Sequence, residues 1–322
     1  LFTARIFNET WRKIRHKDVK RRFLDMSCYR SGFVAICGRA NAGKSTLLNK
    51  IIGEKISIVS SKPQTTRNSI LGVHTTDDCQ IIFVDTPGIH KPRNSLGARM
   101  EKSIKSAIID VAAMIYVMDC TLRDNEWNDE EAALKSVIRE GTPVILALNK
   151  VDKVAKENLL PLIAKAQALH EFAAIIPISA QKGDNIAQLL AEIEKYIGEG
   201  PKYFPDDIIT DQPERQIVRE IIREKALRLL NKEIPHGIAV EIEKWIESEG
   251  RTSIYAAIYC EKNSHKGIVI GKGGEKLKQI GQNARADIEK LLGHKVYLEL
   301  WVRVKEDWRN RESFISSIMD EV

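Results

Sequence analysis

Long apolar runs are missing from this 322-residue sequence. The longest strongly apolar stretch, Val111 to Met118, falls far short of the roughly 18–20 residues a membrane helix needs. That excludes a membrane-spanning class. Cysteine is sparse: five residues, at 28, 37, 79, 120 and 260, with no CxxC pair and no His/Cys cluster. An odd, scattered set argues against a disulfide scaffold and a zinc module, and points to a reducing, cytoplasmic compartment. Internal repeats and low-complexity tracts are absent. Charge of one sign does not dominate either, since 50 Lys+Arg face 44 Asp+Glu for a net +6. That excess permits an anionic partner without requiring one. What is present, 43% hydrophobic and 29% charged residues, is the balance of an ordinary globular chain, so global disorder is excluded. At roughly 100–200 residues per domain, the length favours two domains.

The chain begins at Leu1, and residues 12–22 hold Arg12, Lys13, Arg15, Lys17, Lys20, Arg21 and Arg22. The apolar stretch of a secretory signal does not follow. Residues 1–25 fit a solvated charged extension ahead of Met26 better than a basic arm that binds RNA.

From 32 to 197, short apolar runs alternate with amphipathic stretches. Phe33–Cys37, Ile81–Val84, Ala112–Met118, Val144–Leu148 and Ala174–Ile178 read as buried strands. Ser45–Ile52, Leu96–Ile109, Asp129–Glu140, Glu157–His170 and Ile186–Ile197 read as the helices between them. This alternation predicts an α/β domain, a mostly parallel sheet with helices on both faces. Gly198, Gly200, Pro201, Pro205 and Pro213 then mark 198–213 as a linker. Beyond it, Glu214–Leu230 has helical spacing, whereas Ile238–Ile242, Ile254–Cys260 and Val296–Val304 read as strands. A smaller α+β domain is expected over 214–322, with 1–31 as an N-terminal extension.

Four motifs carry chemistry. Gly38-Arg39-Ala40-Asn41-Ala42-Gly43-Lys44-Ser45 fits GxxxxGK[ST] between a predicted strand and a predicted helix. Gly38 and Gly43 let successive N–H groups turn inward around phosphate oxygens. The helix start, at Ser45 and Thr46, adds its positive dipole end. Lys44 brings a charge to the outer phosphates, and the Ser45 hydroxyl can ligate Mg2+. Asp85-Thr86-Pro87-Gly88 places a carboxylate at a strand end, suited to the Mg2+ shell, and a glycine able to aim an N–H at a γ-phosphate. Asn149-Lys150-Val151-Asp152 supplies a carboxylate that can accept from guanine's N1–H and 2-amino group together, a pair adenine lacks. Asn149 and the Lys150 stem can brace that loop and cover the base. Ser179-Ala180-Gln181-Lys182 offers backbone N–H groups to a base carbonyl. Each motif alone is weak. All four, in order and each after a strand, specify a guanine-nucleotide site.

These residues resemble the Era-type GTPases, through GRANAGKS, DTPGIHKP, NKVD, SAQKG and the stretch 55–72. The resemblance implies a switch I loop (55–70) whose threonine completes the Mg2+ shell in the GTP state, which falls on Thr66, with Thr65 as the alternative. Ile89 stands where Ras-like enzymes carry the glutamine that orients water, so intrinsic hydrolysis should be slow. Some relatives with this replacement use K+ held by a P-loop asparagine, and Asn41 matches that position. Lys44, Thr66, Gly88 and Asn41 are therefore the candidate catalytic residues.

The second domain carries Gly271-Lys272-Gly273-Gly274 after an apolar run. A GxxG loop between two helices clamps the backbone of about four single-stranded nucleotides. Lys272 and Lys276 add charge, and Ile268 and Ile270 can line a groove for bases. From 261 to 290, seven Lys+Arg face four Asp+Glu, a local +3. The helix–strand–strand–helix–helix–strand order resembles a KH domain. Trp308 reads as a core anchor more than as a base-stacking platform. Together, the two domains imply a GTP-hydrolysing factor of small (30S) ribosomal subunit assembly that binds single-stranded RNA near the 16S rRNA 3′ end. The implied cofactors are GTP/GDP and Mg2+, with K+ as a further candidate. The family resemblance also implies a monomer with peripheral contact at the inner membrane, although no lipidation motif or long amphipathic anchor is evident. An RNA chaperone or adaptor, its GTPase domain a slow or silent nucleotide clamp, is the competing reading.

Overall fold

The computed structural model describes residues 29–60, 62, 65–90, 92, 94–230 and 234–319. The basic run at 12–22, and with it the question of an RNA-binding arm, lies outside the described residues.

The first domain is a six-stranded sheet in the order β2-β3-β1-β4-β5-β6. Its strands are β1 (Arg30–Cys37), β2 (Ile70–Thr75), β3 (Cys79–Asp85), β4 (Ala113–Asp119), β5 (Val144–Asn149) and β6 (Ala174–Ile178). All neighbours pair in parallel except β2 with β3. Helices α1 (Lys44–Ile52), α2 (Ser95–Ala107), α3 (Trp127–Val137), α4 (Leu159–Gln167) and α5 (Ile186–Glu194) cover the faces. The strands are near-continuous apolar runs because both faces are buried. One face packs Val34, Ile36, Phe83, Val117 and Ile145 against Leu47, Leu48 and Leu189. The other packs Ala35, Tyr116, Met118 and Leu146 against Ile104, Leu134 and Ala166.

Strand β2 was not anticipated. It is an edge strand formed by a hairpin whose Thr76 closes the turn, its N–H donating to the Cys79 carbonyl at 2.8 Å and its Oγ1 accepting from the Cys79 N–H at 3.1 Å. Helices α3 and α4 are shorter than their periodicity predicts. At the end of α3, Ile138 turns to extended backbone (ψ 137°) as the chain leads into β5.

The second domain is a three-stranded sheet, β7 (Ala239–Ser248), β8 (Arg251–Cys260) and β9 (Lys295–Val304). β7 pairs with β8 antiparallel and β8 with β9 in parallel. One sheet face packs on α6 (Glu214–Leu229), α7 (Asn263–Ile270) and α8 (Glu275–Leu292) through Ile222, Val269, Ile280 and Ile288. Trp308 is fully buried and donates its indole N–H to the Gly237 carbonyl at 2.9 Å. Among the described residues no helix is long and apolar enough to cross a membrane.

The glycine- and proline-rich segment between the domains is bonded to the first sheet. The buried Gln80 amide uses both ends on it, donating to the Phe204 carbonyl at 2.9 Å and accepting from the N–H groups of Tyr203 (2.8 Å) and Phe204 (2.9 Å). Further along, Val73 N–H donates to the Ile209 carbonyl at 2.8 Å. The chain is thereby delivered along β2 to the start of α6.

The two domains share a seam. Leu96 and Met100 of α2 form one apolar cluster with Ala257, Tyr259, Trp308 and the residues Phe314, Ile315 and Ile318 of α9 (Glu312–Met319). Along the same seam, Asn68 donates to the Met319 carbonyl at 2.8 Å.

Candidate nucleotide and RNA sites

The loops at the carboxyl ends of β1, β3, β5 and β6 gather the four motifs, where an open α/β sheet binds its ligands. After β1 the chain wraps from Gly38 to α1. Gly38 has φ 145°, and a Cβ there would lie 2.3 Å from the Val117 carbonyl oxygen, so the turn admits no side chain. Asn41 takes a left-handed conformation (φ 64°) on the exposed lip of the loop. Lys44 folds back inside it, donating to the carbonyls of Gly38 (3.0 Å) and Arg39 (2.9 Å). Burial pulls the Lys44 pKa down, and Asp85 pulls it back up. Gly88 approaches the loop so closely that a Cβ would stand 2.6 Å from the Ala40 Cα. Its role in the fold is this contact, which brings the residues after β3 onto the P-loop.

Three oxygen side chains converge beside Lys44. The Ser45 hydroxyl donates to Asp85 Oδ2 at 2.7 Å and lies 2.8 Å from the Thr66 hydroxyl. Thr65 points elsewhere, donating to the Lys62 carbonyl at 2.6 Å, so Thr66 is the threonine that joins the cluster. Ser57, which the sequence reading missed, also donates to Asp85 Oδ2 at 3.2 Å. Burial pushes the Asp85 carboxyl up to about 6, against Lys44, Ser45 and Ser57, which hold it down. Its Oδ1 is buried with no partner among the described residues. Two hydroxyls and a carboxylate with a spare buried oxygen are the hard, all-oxygen donor set that suits Mg2+. Thr46, the next residue of α1, is half-buried behind them.

Asn149 ties two loops together. Its Nδ2 donates to the Ala42 carbonyl at 2.8 Å, and its Oδ1 accepts from the Ala180 N–H at 2.9 Å. Asp152 Oδ1 accepts from the Ser179 hydroxyl at 2.7 Å, a bond that holds its carboxyl below the usual range. Lys150 pairs with Asp119 at the end of β4. Asp119 was not anticipated, although β3, β4 and β5 each end on a residue able to anchor a loop: Asp85, Asp119 and Asn149.

Switch I is held at both ends by the second domain. Near its start, the buried Glu224 of α6 accepts from Lys55 Nζ at 2.6 Å and from the Val59 N–H at 3.2 Å. Lys55 also meets Asp287 of α8 at 2.9 Å. Near its end, Arg223 donates to the Thr65 carbonyl, and Arg67 to the Ile238 carbonyl at 2.8 Å. Nothing in the local sequence marks Glu224 or Arg223 for this role, because both read as ordinary charged helix positions.

In the second domain, α7 and α8 flank Gly271-Lys272-Gly273-Gly274. Gly273 is left-handed (φ 61°) with open space where a Cβ would stand. Gly271 lies against Lys276, with 2.7 Å from a built Cβ to the Lys276 Cβ. Lys272 is exposed, as is Ile268 at 44%. Ile270 is half-buried against the core.

The fold and these sites define a P-loop GTPase joined to a KH domain. Residues 33–150 match the family described as "50S ribosome-binding GTPase", and residues 233–309 match the KH domain family. GTPase Era of Alkaliphilus oremlandii (strain OhILAs) is 54% identical over 296 residues, covering 90% of this chain and 98% of that protein. Two solved structures are each 41% identical over 90% of this chain and 98% of theirs. One is Era with MgGDPNP and nucleotides 1506–1542 of 16S ribosomal RNA (TM-score 0.84). The other is an Aquifex aeolicus Era variant bound to GDP and aluminium fluoride (TM-score 0.85). The chain belongs to the Era family of GTPases.

Proposed function

We propose that this chain hydrolyses GTP in a cycle whose nucleotide state sets its affinity for single-stranded RNA near the 3′ end of 16S rRNA during small-subunit maturation. The observation that carries this reading is the placement of switch I. Thr66 meets Ser45, which donates to Asp85, at the nucleotide site, while the flanking residues Lys55, Val59, Thr65 and Arg67 are bonded to the KH domain. A loop bonded both to the nucleotide site and to the domain that carries the GxxG loop can transmit occupancy of one site to the other, and the linkage is reciprocal.

In this reading Gly38, Asn41, Ala42, Gly43, Lys44, Ser45 and Thr46 surround the phosphates. Ser45, Thr66 and Asp85 hold Mg2+, which when bound offsets phosphate charge. The Gly88 N–H faces the γ-phosphate. Asp152 reads guanine, Lys150 covers the base, and Asn149 fixes the Ser179-Ala180 loop that meets the base carbonyl. Asn41 contributes to a K+ site that offsets charge building on the phosphates during hydrolysis. Single-stranded RNA lies along Gly271, Lys272, Gly273, Gly274 and Lys276, with bases against Ile268 and Ile270. The chain acts as a monomer in the cytoplasm, with peripheral contact at the inner membrane.

The cation role has its own test. Glycine tolerates φ 64° and removes the amide, so Asn41→Gly isolates the side chain. Phosphate release by the unaltered protein should be about tenfold faster in K+ than in Na+, and Asn41→Gly should erase the difference. Equal rates in the two salts would remove K+ from the reading.

The coupling is tested by titrating a short RNA copied from the 16S 3′ end against protein loaded with GDP or a non-hydrolysable GTP analogue. Affinity should be about tenfold tighter in the GTP state. Aspartate accepts left-handed backbone and meets no neighbour at 273, so Gly273→Asp adds a carboxylate beside the RNA phosphates at little cost to the fold. It should weaken binding by at least about tenfold. State-independent RNA binding would instead favour the silent-clamp reading.

A further inference from the structure

The seam between the domains holds a cavity apart from the phosphate loop and the GxxG loop, with Ile70, Ala239, Val240 and Ile318 on its apolar side. Arg67 of switch I, Gln212 of the crossing segment, and Gln216, Arg219, Glu220 and Arg223 of α6 line it. Arg67, Arg219 and Arg223 are buried, at 9%, 3% and 1% exposed. The carboxylate lining it, Glu220, accepts from Arg223 Nε at 3.0 Å. A fourth guanidinium nearby, Arg309, is already matched by Glu261 through bonds of 2.8 and 2.6 Å.

Among the described residues, Glu220 is the carboxylate on the cavity wall, and it faces the guanidinium groups of Arg67 and Arg223. Arginine stays charged under such conditions, and buried charge needs an opposite charge or hydrogen bonds to offset its desolvation. The offset is incomplete here. Arg67 Nε and Arg223 Nη1 are buried with no hydrogen-bond partner among the described residues. The Gln212 amide, whose Oε1 is also buried and unpartnered, can present either end to the cavity. The free space is about that of one or two water molecules, too small for a phosphate or a nucleotide.

We propose that this cavity binds a single small inorganic anion of the halide class, held between Arg67 of switch I and Arg223 of the KH domain. The anion supplies an acceptor for the unpartnered Arg67 and Arg223 N–H groups and so favours the arrangement in which the two domains are docked. The site shares Arg67 and Arg223 with the attachment of switch I, but it does not require the nucleotide or RNA assignments.

The test uses the full chain loaded with MgGDP, so that the phosphate loop is filled. Potassium gluconate, whose anion is too large for the cavity, is replaced stepwise by potassium chloride at constant ionic strength. The melting temperature should rise saturably by about 2–4 °C. In crystals grown with bromide, an anomalous peak should lie within hydrogen-bond reach of Arg67 Nε and Arg223 Nη1. Gln212→Glu supplies an internal carboxylate, so its melting temperature in gluconate should exceed that of the unaltered protein and its chloride response should vanish. Identical melting curves in gluconate and chloride would overturn the proposal. So would a bromide-grown crystal of the unaltered protein with no halide at the seam, a result that does not depend on the variant folding.

Discussion

Lys44→Met is expected to lower kcat/KM for GTP by about a thousandfold or more while leaving the free protein folded. The ammonium is buried inside the loop and bonded to the Gly38 and Arg39 carbonyls. It is the one cationic side chain that the loop folds inward, and its charge is fixed in a site of low polarity, where it counts most against charge developing on phosphates. The same burial makes it costly in the free protein, as its lowered pKa records. Methionine keeps the length and removes the desolvation penalty. Asp85 then loses the positive neighbour that opposes its upward shift, and the carboxyl is left more readily protonated. These effects oppose one another, so the melting temperature of the nucleotide-free protein should move by only about 3 °C or less. Phosphate release and thermal melts of the same preparation check both halves. Turnover near that of the unaltered protein would remove Lys44 from the chemistry.

Glu224→Gln is expected to cost about 2–4 kcal/mol of stability and to abolish most of the difference in RNA affinity between nucleotide states. Glu224 is fully buried and gathers Lys55, Arg228 and the Val59 N–H onto one carboxylate. A neutral amide can still accept one bond, but it brings two donors toward groups that are themselves donors. The start of switch I would then be released from the KH domain, while Thr66 could still meet Ser45. Denaturant unfolding reads the stability, and the paired RNA titrations read the coupling. A variant that keeps its tenfold nucleotide dependence would show that the signal passes elsewhere.

The neighbouring Asp287 gives this seam a pH signature. Burial works to raise its pKa, but Lys225 and Lys55 outweigh that and hold it below the usual range. A depressed folded value contributes stability in full above the unfolded pKa of about 3.9. That contribution is lost as the pH falls through the lower folded value, so loosening of the seam belongs to strongly acid conditions and not to the physiological range.

Much of this was legible in the residues. The five parallel strands announce themselves as apolar runs because burial on both faces leaves no alternation to obscure them. The nucleotide site was readable because each motif follows a strand, and the open sheet places all those strand ends on one edge. The GxxG loop was readable for a similar reason: its glycines sit between two local helical patterns. What escaped was set by contacts distant in sequence. Strand β2 is an edge strand fixed by its hairpin to β3. The segment 198–213 has the composition of a linker, yet Gln80, more than a hundred residues earlier, binds it to the sheet.

Local spacing and residue type alone were enough for the two folds, the guanine-nucleotide chemistry and the GxxG loop between two helices. Long-range packing set Thr66 and not Thr65 against Ser45, and brought Ser57 to Asp85 and Asp119 to Lys150. It alone placed Glu224 and Arg223 on switch I, and gathered Arg67, Arg219 and Arg223 into one buried cavity. The physical reason is that charge pairing across a domain seam depends on which side chains burial brings together. Charged residues on a helix carry no mark of whether they will meet water or each other.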